Sequence, residues 1–322
     1  MGLKAMVLFL LVFSLTASAL FAEEGGSGHY MPGQTASFID VLPDREAFLY
    51  VNVSTYYDGS TSTTLPLGQP GVDIVGNIDA TVYANTSFLV YQTPWKIFGG
   101  RYGAGLAIPY YDMEVTADVT HAGPGGTTEL GKRDKTTGLG DIELFPFILG
   151  WKKGDVSYGT SLGLYTPTGE YEEGALANPG KNYWTFEPAA YVSWLSSKIG
   201  TEVSTFVGYD ISTENQDTDY QSGNVFHIDT TVAQHLPLFG GFIGVGANAF
   251  YYKQITGDSG DGAKLGDFKG QTMGVGPVLS YATKVGQAKT TDLVIEVKWL
   301  PESDVDGRLE GDIIWAKVAL AF

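Results

Sequence analysis

The sequence predicts an all-β fold: a transmembrane antiparallel up-and-down β-barrel of twelve strands, of the outer-membrane type. Three observations predict it. The chain ends on an alternating run, Asp312–Phe322, in which Ile314, Ala316, Val318, Leu320 and Phe322 share one wholly apolar face and Ile313, Trp315, Lys317, Ala319 and Ala321 the other. From Ala47 onward, alternating runs are joined by connections that are short and long by turns. In the run 183–195, Trp184 and Trp194 bracket a face made of Phe186, Pro188, Ala190 and Val192. At about 3.3 Å per residue and a tilt of about 40°, those indoles stand roughly 25 Å apart along the membrane normal, one at each interface of a lipid-facing band. An apolar terminal strand is an aggregation hazard in water. In lipid it closes the cylinder, and only a closed sheet leaves no backbone group unpaired there.

The totals agree. The chain has 322 residues, enough for one large barrel or two soluble domains. Beyond the amino terminus no apolar run reaches the length of a transmembrane helix. The absence of cysteine excludes disulfides and thiolate metal sites, and a net charge of −17 argues against nucleic acid as a partner.

Residues 1–22 read as a secretory signal peptide: Lys4, an apolar run Ala5–Leu15, then small residues at Ala17-Ser18-Ala19 and Ala22. Cleavage before Glu23 is the first choice and cleavage after Ala19 the alternative. Residues 23–46 form an N-terminal segment on the periplasmic side. Its stretch Glu23–Gly33 is too glycine-rich for a strand. It is either a tail or a plug entering the lumen, with His29, Tyr30 and Met31 as docking groups.

Residues 47–322 form the barrel. Its strands are expected near 47–57, 79–91, 101–117, 140–149, 156–166, 183–195, 201–213, 225–236, 242–255, 271–282, 291–300 and 311–322. The even-numbered strands are followed by short turns, the odd-numbered ones by long loops at 58–78, 120–139, 167–182, 214–224, 256–270 and 301–310. That sorting puts both termini on the periplasmic side of a bacterial outer membrane. Lysines 96, 152, 153, 198, 284 and 289 fall in short turns, and most of the acidity falls in the long loops. The first strand must pair with the last, and Phe322 is assigned to recognition by the barrel assembly machinery.

The faces opposite the apolar ones supply the expected lumen lining: Tyr50, Asn52 and Tyr56; Tyr83; Tyr183, Glu187 and Tyr191; Phe206; His227 and Asp229; Asn248, Phe250 and Tyr252; Glu296, Lys298 and Lys317. Tyrosine joins an apolar ring to a polar tip, so such a lumen suits amphipathic or aromatic molecules. The same groups also suit a filled core, with Glu296, Lys298 and Lys317 paired across strands.

No catalytic, cofactor or metal site is expected. His227, Asp229 and Thr231 share a face, but neighbours along one strand do not converge as a triad does, and no serine sits in a Gly-x-Ser-x-Gly turn. Gly257–Gly262 is acidic but lacks the ordered ligand positions of a calcium loop.

Four blocks in order, Gly25–Gly33, Thr137–Asp141, Tyr165–Gly169 and Asn182–Trp184, resemble the Gram-negative outer-membrane family named for the MetA pathway of phenol degradation. The resemblance implies a barrel and, by a loose likeness to FadL-type channels, passage of hydrophobic or aromatic compounds. It does not imply phenol turnover. The resulting expectation is an outer-membrane channel for passive uptake of small hydrophobic compounds, aromatic ones foremost. Its partners would be outer-membrane lipid and that ligand. The rival expectation is a non-transporting barrel that serves as a surface anchor.

Overall fold

The computed structural model describes residues 22–66, 73–123, 126–263, 267–287 and 289–322. The signal peptide expected at 1–22 lies outside them except for Ala22. Thirteen strand segments form one antiparallel sheet: β1 (Ala47–Pro66), β2 (Asp73–Ile97), β3 (Gly100–Gly123), β4 (Gly126–Leu139), β5 (Glu143–Lys153), β6 (Val156–Tyr165), β7 (Thr185–Leu195), β8 (Thr201–Ser212), β9 (Val225–Leu238), β10 (Gly241–Gln254), β11 (Gln271–Val285), β12 (Thr291–Asp306) and β13 (Glu310–Ala321). β13 pairs with β1, Leu49 opposite Ala321 and Ser60 opposite Glu310, which closes the cylinder. β3 gives Arg101–Ala107 to β5 and Tyr110–Gly123 to β4. β4 and β5 therefore share one place in the wall, which has twelve.

Two expected loops are largely strand. Residues 58–66 and 73–78 extend β1 and β2, and residues 120–123 and 126–139 extend β3 and supply β4. These stretches are rich in threonine, whose branched side chain favours the extended backbone, so the ladders continue past the expected strand ends. The loop expected at 301–310 likewise shrinks to the turn between Asp306 and Glu310.

The register holds on most of the wall. Along β7, Phe186, Pro188, Ala190, Val192 and Trp194 point outward while Thr185, Glu187 and Ser193 are buried inside. Trp184, just before the strand, is exposed on the same side. On β1 and β2 the expected register is reversed. Leu49, Val53 and Thr55 are buried in the lumen, so Tyr50, Asn52 and Tyr56 face outward. Val90 and Gln92 are buried within, and Tyr83 is 57 % exposed outside. The cause is inside the barrel. Val53, Phe250, Leu300, Ile313 and Trp315 form an apolar core in the lumen, with Val51, Tyr57, Phe88 and Met31 against it. A dry interior draws the aliphatic face of β1 inward and leaves the polar face outside.

Candidate functional site

The wall alone does not fill the lumen; residues 22–46 do. At the short-turn end, Arg45 donates to the Phe322 carbonyl at 3.1 Å and to Asp292 at 2.9 Å. Leu42 packs on Ala47, Leu49, Val90 and Ala321. Further in, a 3-10 turn at Phe38–Asp40 presents Asp40 to Lys317 Nζ at 2.7 and 3.0 Å, and the Phe38 N–H donates to Glu202 Oε1 at 2.7 Å. The Ser37 hydroxyl donates to Glu296, and Lys298 donates to the Gly33 carbonyl.

Asp229 is the mid-lumen fastener. Its carboxylate accepts the Tyr30 hydroxyl at 2.5 Å and the Gly33 N–H at 2.7 Å. Gly33 stands at φ +80°, and a Cβ there would meet Leu300 at 2.3 Å, so the chain can turn only through glycine. Met31 enters the apolar core beside that turn. At the long-loop end, Tyr252 and Arg308 donate to the Glu23 carboxylate, and Glu24 accepts from Asn215 and Thr218. Burial raises the Glu24 carboxyl above its ordinary range even against those bonds. The N-terminal segment thus runs the length of the lumen and is hydrogen-bonded at every level.

His29 occupies a junction of its own. Its Nε2 lies 2.9 Å from Asp141 Oδ2 and its Nδ1 2.8 Å from Thr185 Oγ1. The ring stacks on Tyr165 at 4.8 Å and meets Tyr183 edge-on at 5.0 Å. Asp141 also accepts the backbone N–H groups of Thr168, Gly169 and Lys181. A Cβ on Gly169 would meet the backbones of Gly140 and Gly180 at 2.6 and 2.7 Å, so these loops close only with glycine. The four blocks singled out in sequence therefore meet here: His29 from the first, Asp141 from the second, Tyr165 and Gly169 from the third, Tyr183 from the fourth. Lys181, not foreseen, completes the junction by donating to Ser27 Oγ, and burial pulls its ammonium pKa below the ordinary range.

Of the other expected lining residues, Glu187, His227, Asp229, Asn248, Phe250, Tyr252, Glu296, Lys298 and Lys317 are all buried within the barrel. Tyr191 and Phe206 stack at 5.1 Å nearer the short-turn end. Glu296 does come near Lys298 and Lys317, at 3.8 and 4.0 Å, but the shorter bonds of both lysines go to the N-terminal segment. Asp40 and Glu23 lie outside the alternating runs, where a charge carries no periodic signal. Beside the His29 junction lies a small cavity, partly open to solvent, between His29 and Gln34 of the plug and Thr86, Pro109, Tyr111, Asp141, Glu143, Tyr165, Pro179 and Lys181 of the wall and loops.

Residues 65–318 match the family model described as "Putative MetA-pathway of phenol degradation". The chain belongs to this family. Its fold is that of outer-membrane β-barrels. An outer membrane channel from Pseudomonas putida F1 superposes with a TM-score of 0.57 at 14 % identity, covering 91 % of this chain and 100 % of that one. OccK2 of Pseudomonas aeruginosa covers 89 % of this chain and 99 % of its own at 11 % identity, with a TM-score of 0.29. No curated protein matches the chain in sequence.

Proposed function

We propose that this channel-like barrel sits in the bacterial outer membrane, in contact with its lipid, and passes small hydrophobic, chiefly aromatic, molecules. Residues 23–46 act as its constriction. The observation that carries the reading is the cavity between plug and wall. Tyr111, Tyr165, Pro109 and Pro179 make up one part of its lining, and Gln34, Thr86, Asp141, Glu143 and Lys181 the polar remainder. The lining sets aromatic faces beside polar groups, the combination by which a site orients a ring that bears a polar substituent. Deleting residues 23–33 should raise single-channel conductance in planar bilayers and reduce selectivity for aromatic over polar solutes in liposome swelling. Unchanged conductance and selectivity in a folded barrel would overturn the reading.

The second reading, a non-transporting anchor, has its own observation. Tyr252, Lys298, Leu300, Ile313 and Lys317 are fully buried around the plug, as in a sealed core. A parent barrel that is impermeable to every solute would favour it. Phe322 belongs to assembly in either case. Its N–H donates to the Phe48 carbonyl at 3.0 Å at the closing seam, while its ring is exposed. Removing Phe322 should lower the heat-resistant folded fraction without changing conductance per folded channel.

A further inference from the structure

We propose that Glu187, Asp210 and His227 form a binding site for a divalent transition-metal ion of the zinc class inside the barrel. The three side chains come from β7, β8 and β9 and point into the lumen at one level. One ligand atom from each lies within 4.8 Å of the other two. His227 Nε2 is 3.4 Å from Glu187 Oε1 and 3.6 Å from Asp210 Oδ1. Ligands bound at about 2.1 Å around a tetrahedral ion are separated by about 3.4 Å, so the two sides that meet at His227 are already near the spacing of a coordination face. Imidazole with two carboxylates is also a donor set such ions accept, with a position left open.

The second observation is what these atoms lack. Asp210 Oδ1 and both ring nitrogens of His227 are buried with no hydrogen-bond partner among the described residues. Buried polar atoms are almost always paired, and of these orphans His227 Nε2 and Asp210 Oδ1 face each other at 3.6 Å, which signals an absent ligand between them. Charge leads to the same place. Three carboxylates, of Glu187, Asp210 and Asp229, lie within 4 Å of His227. A protonated imidazole offsets one of them; a divalent ion offsets two. Buried carboxylates left uncompensated are strongly unfavourable.

The surroundings are built to hold the group. The Tyr165 hydroxyl donates to Glu187 Oε2 at 2.9 Å and leaves Oε1 free. Outer contacts of that kind orient ligands. A Cβ on Gly208 would lie 2.2 Å from His227 Nε2, so glycine keeps that nitrogen clear. Tyr165 also lines the solvent-accessible cavity, which places an entry path one side chain away. Tyr30 stacks on the His227 ring at 3.6 Å. An ion on that ring would therefore also steady the plug.

The test uses the full mature barrel, purified in detergent and stripped with a chelator. Co²⁺ alone is titrated while visible absorption is followed, and Zn²⁺ alone is titrated by calorimetry. The expected result is one ion per barrel, with absorption bands of low-coordinate cobalt. Asp210→Asn and His227→Ala should each weaken binding beyond the roughly 10–100-fold typical of losing an outer contact. The loop changes Asp261→Asn and Asp306→Asn should leave it intact. Folding is scored by heat-shifted gel mobility. If a variant fails to fold, stoichiometry and spectrum of the parent still decide. Absence of stoichiometric binding by the parent, or binding that survives both ligand substitutions or falls with the loop changes, overturns the site.

Discussion

β7–β10 and β1–β2 wrap the same lumen with opposite polarity. On β7–β10 the outer face is apolar and the inner face carries Glu187, Asp210, His227, Asp229 and Asn248. On β1–β2 the inner face carries Leu49, Val53 and Val90, while Asn52 and Asn85 lie outside. There the two amides bond each other at 2.9 and 3.0 Å, with Ser54 and Ser87 at the flanks. In the membrane placement proposed above, this cluster lies deep in the lipid band. Asp58 pairs with Asp312, which accepts the Trp299 indole at the long-loop interface. Asn52 is six residues below Asp58, or about 15 Å along the normal at a 40° tilt.

The difference follows the plug. It offers Met31 and Leu42 to the β1 side, and Tyr30, the Gly33 N–H and the Phe38 N–H to the β8–β9 side. Each wall turns inward the face that matches what the plug presents. The polar face left over on β1–β2 is tolerable in lipid because its amides satisfy one another.

Three substitutions would break or sharpen this contrast. The largest effect is expected at Lys317, which anchors Asp40 beside Glu296 in the buried charge network. Lys317→Ala strands two carboxylates and should cost about 3–5 kcal/mol, read as a lowered urea midpoint of the folded barrel. A midpoint within error of the parent would mean that the network is not what holds the plug. Next comes Ala190, outward on the conventional wall. Ala190→Arg should cost about 2–4 kcal/mol, as a cation at the bilayer midplane does. Tolerance of arginine there would place that face out of lipid. The smallest effect is at the inverted wall. Asn52→Leu should cost about 0.6–2 kcal/mol by leaving Asn85 without its partner, and adding Asn85→Leu should recover most of the loss. If the double substitution is worse than the single, the two amides are not a self-satisfying pair.

The family blocks also divide between what is local and what is not. Three of the four are glycine- or proline-bearing stretches, legible as such in the sequence, and the fourth, Asn182–Trp184, has neither. That all four converge on His29 and Asp141 was not, because the junction joins residues more than a hundred positions apart. The same holds for Glu187, Asp210 and His227. Only the sheet order brings three strands' single residues to one level.

The barrel, its closing seam, the outward-facing Trp184 and Trp194 and the inward face of β7–β13 were legible in the sequence alone, because period-two alternation is a local signal repeated on every strand. The sequence was misleading at β1 and β2, where Tyr50, Asn52, Tyr56 and Tyr83 follow the usual polar-inward rule and yet face outward. Alternation says that two faces differ, and it cannot say which one looks inward when the interior is partly dry. Only the tertiary structure decided that. Residues 23–46 lie inside the tube, and the groups they present set the polarity of the wall opposite them.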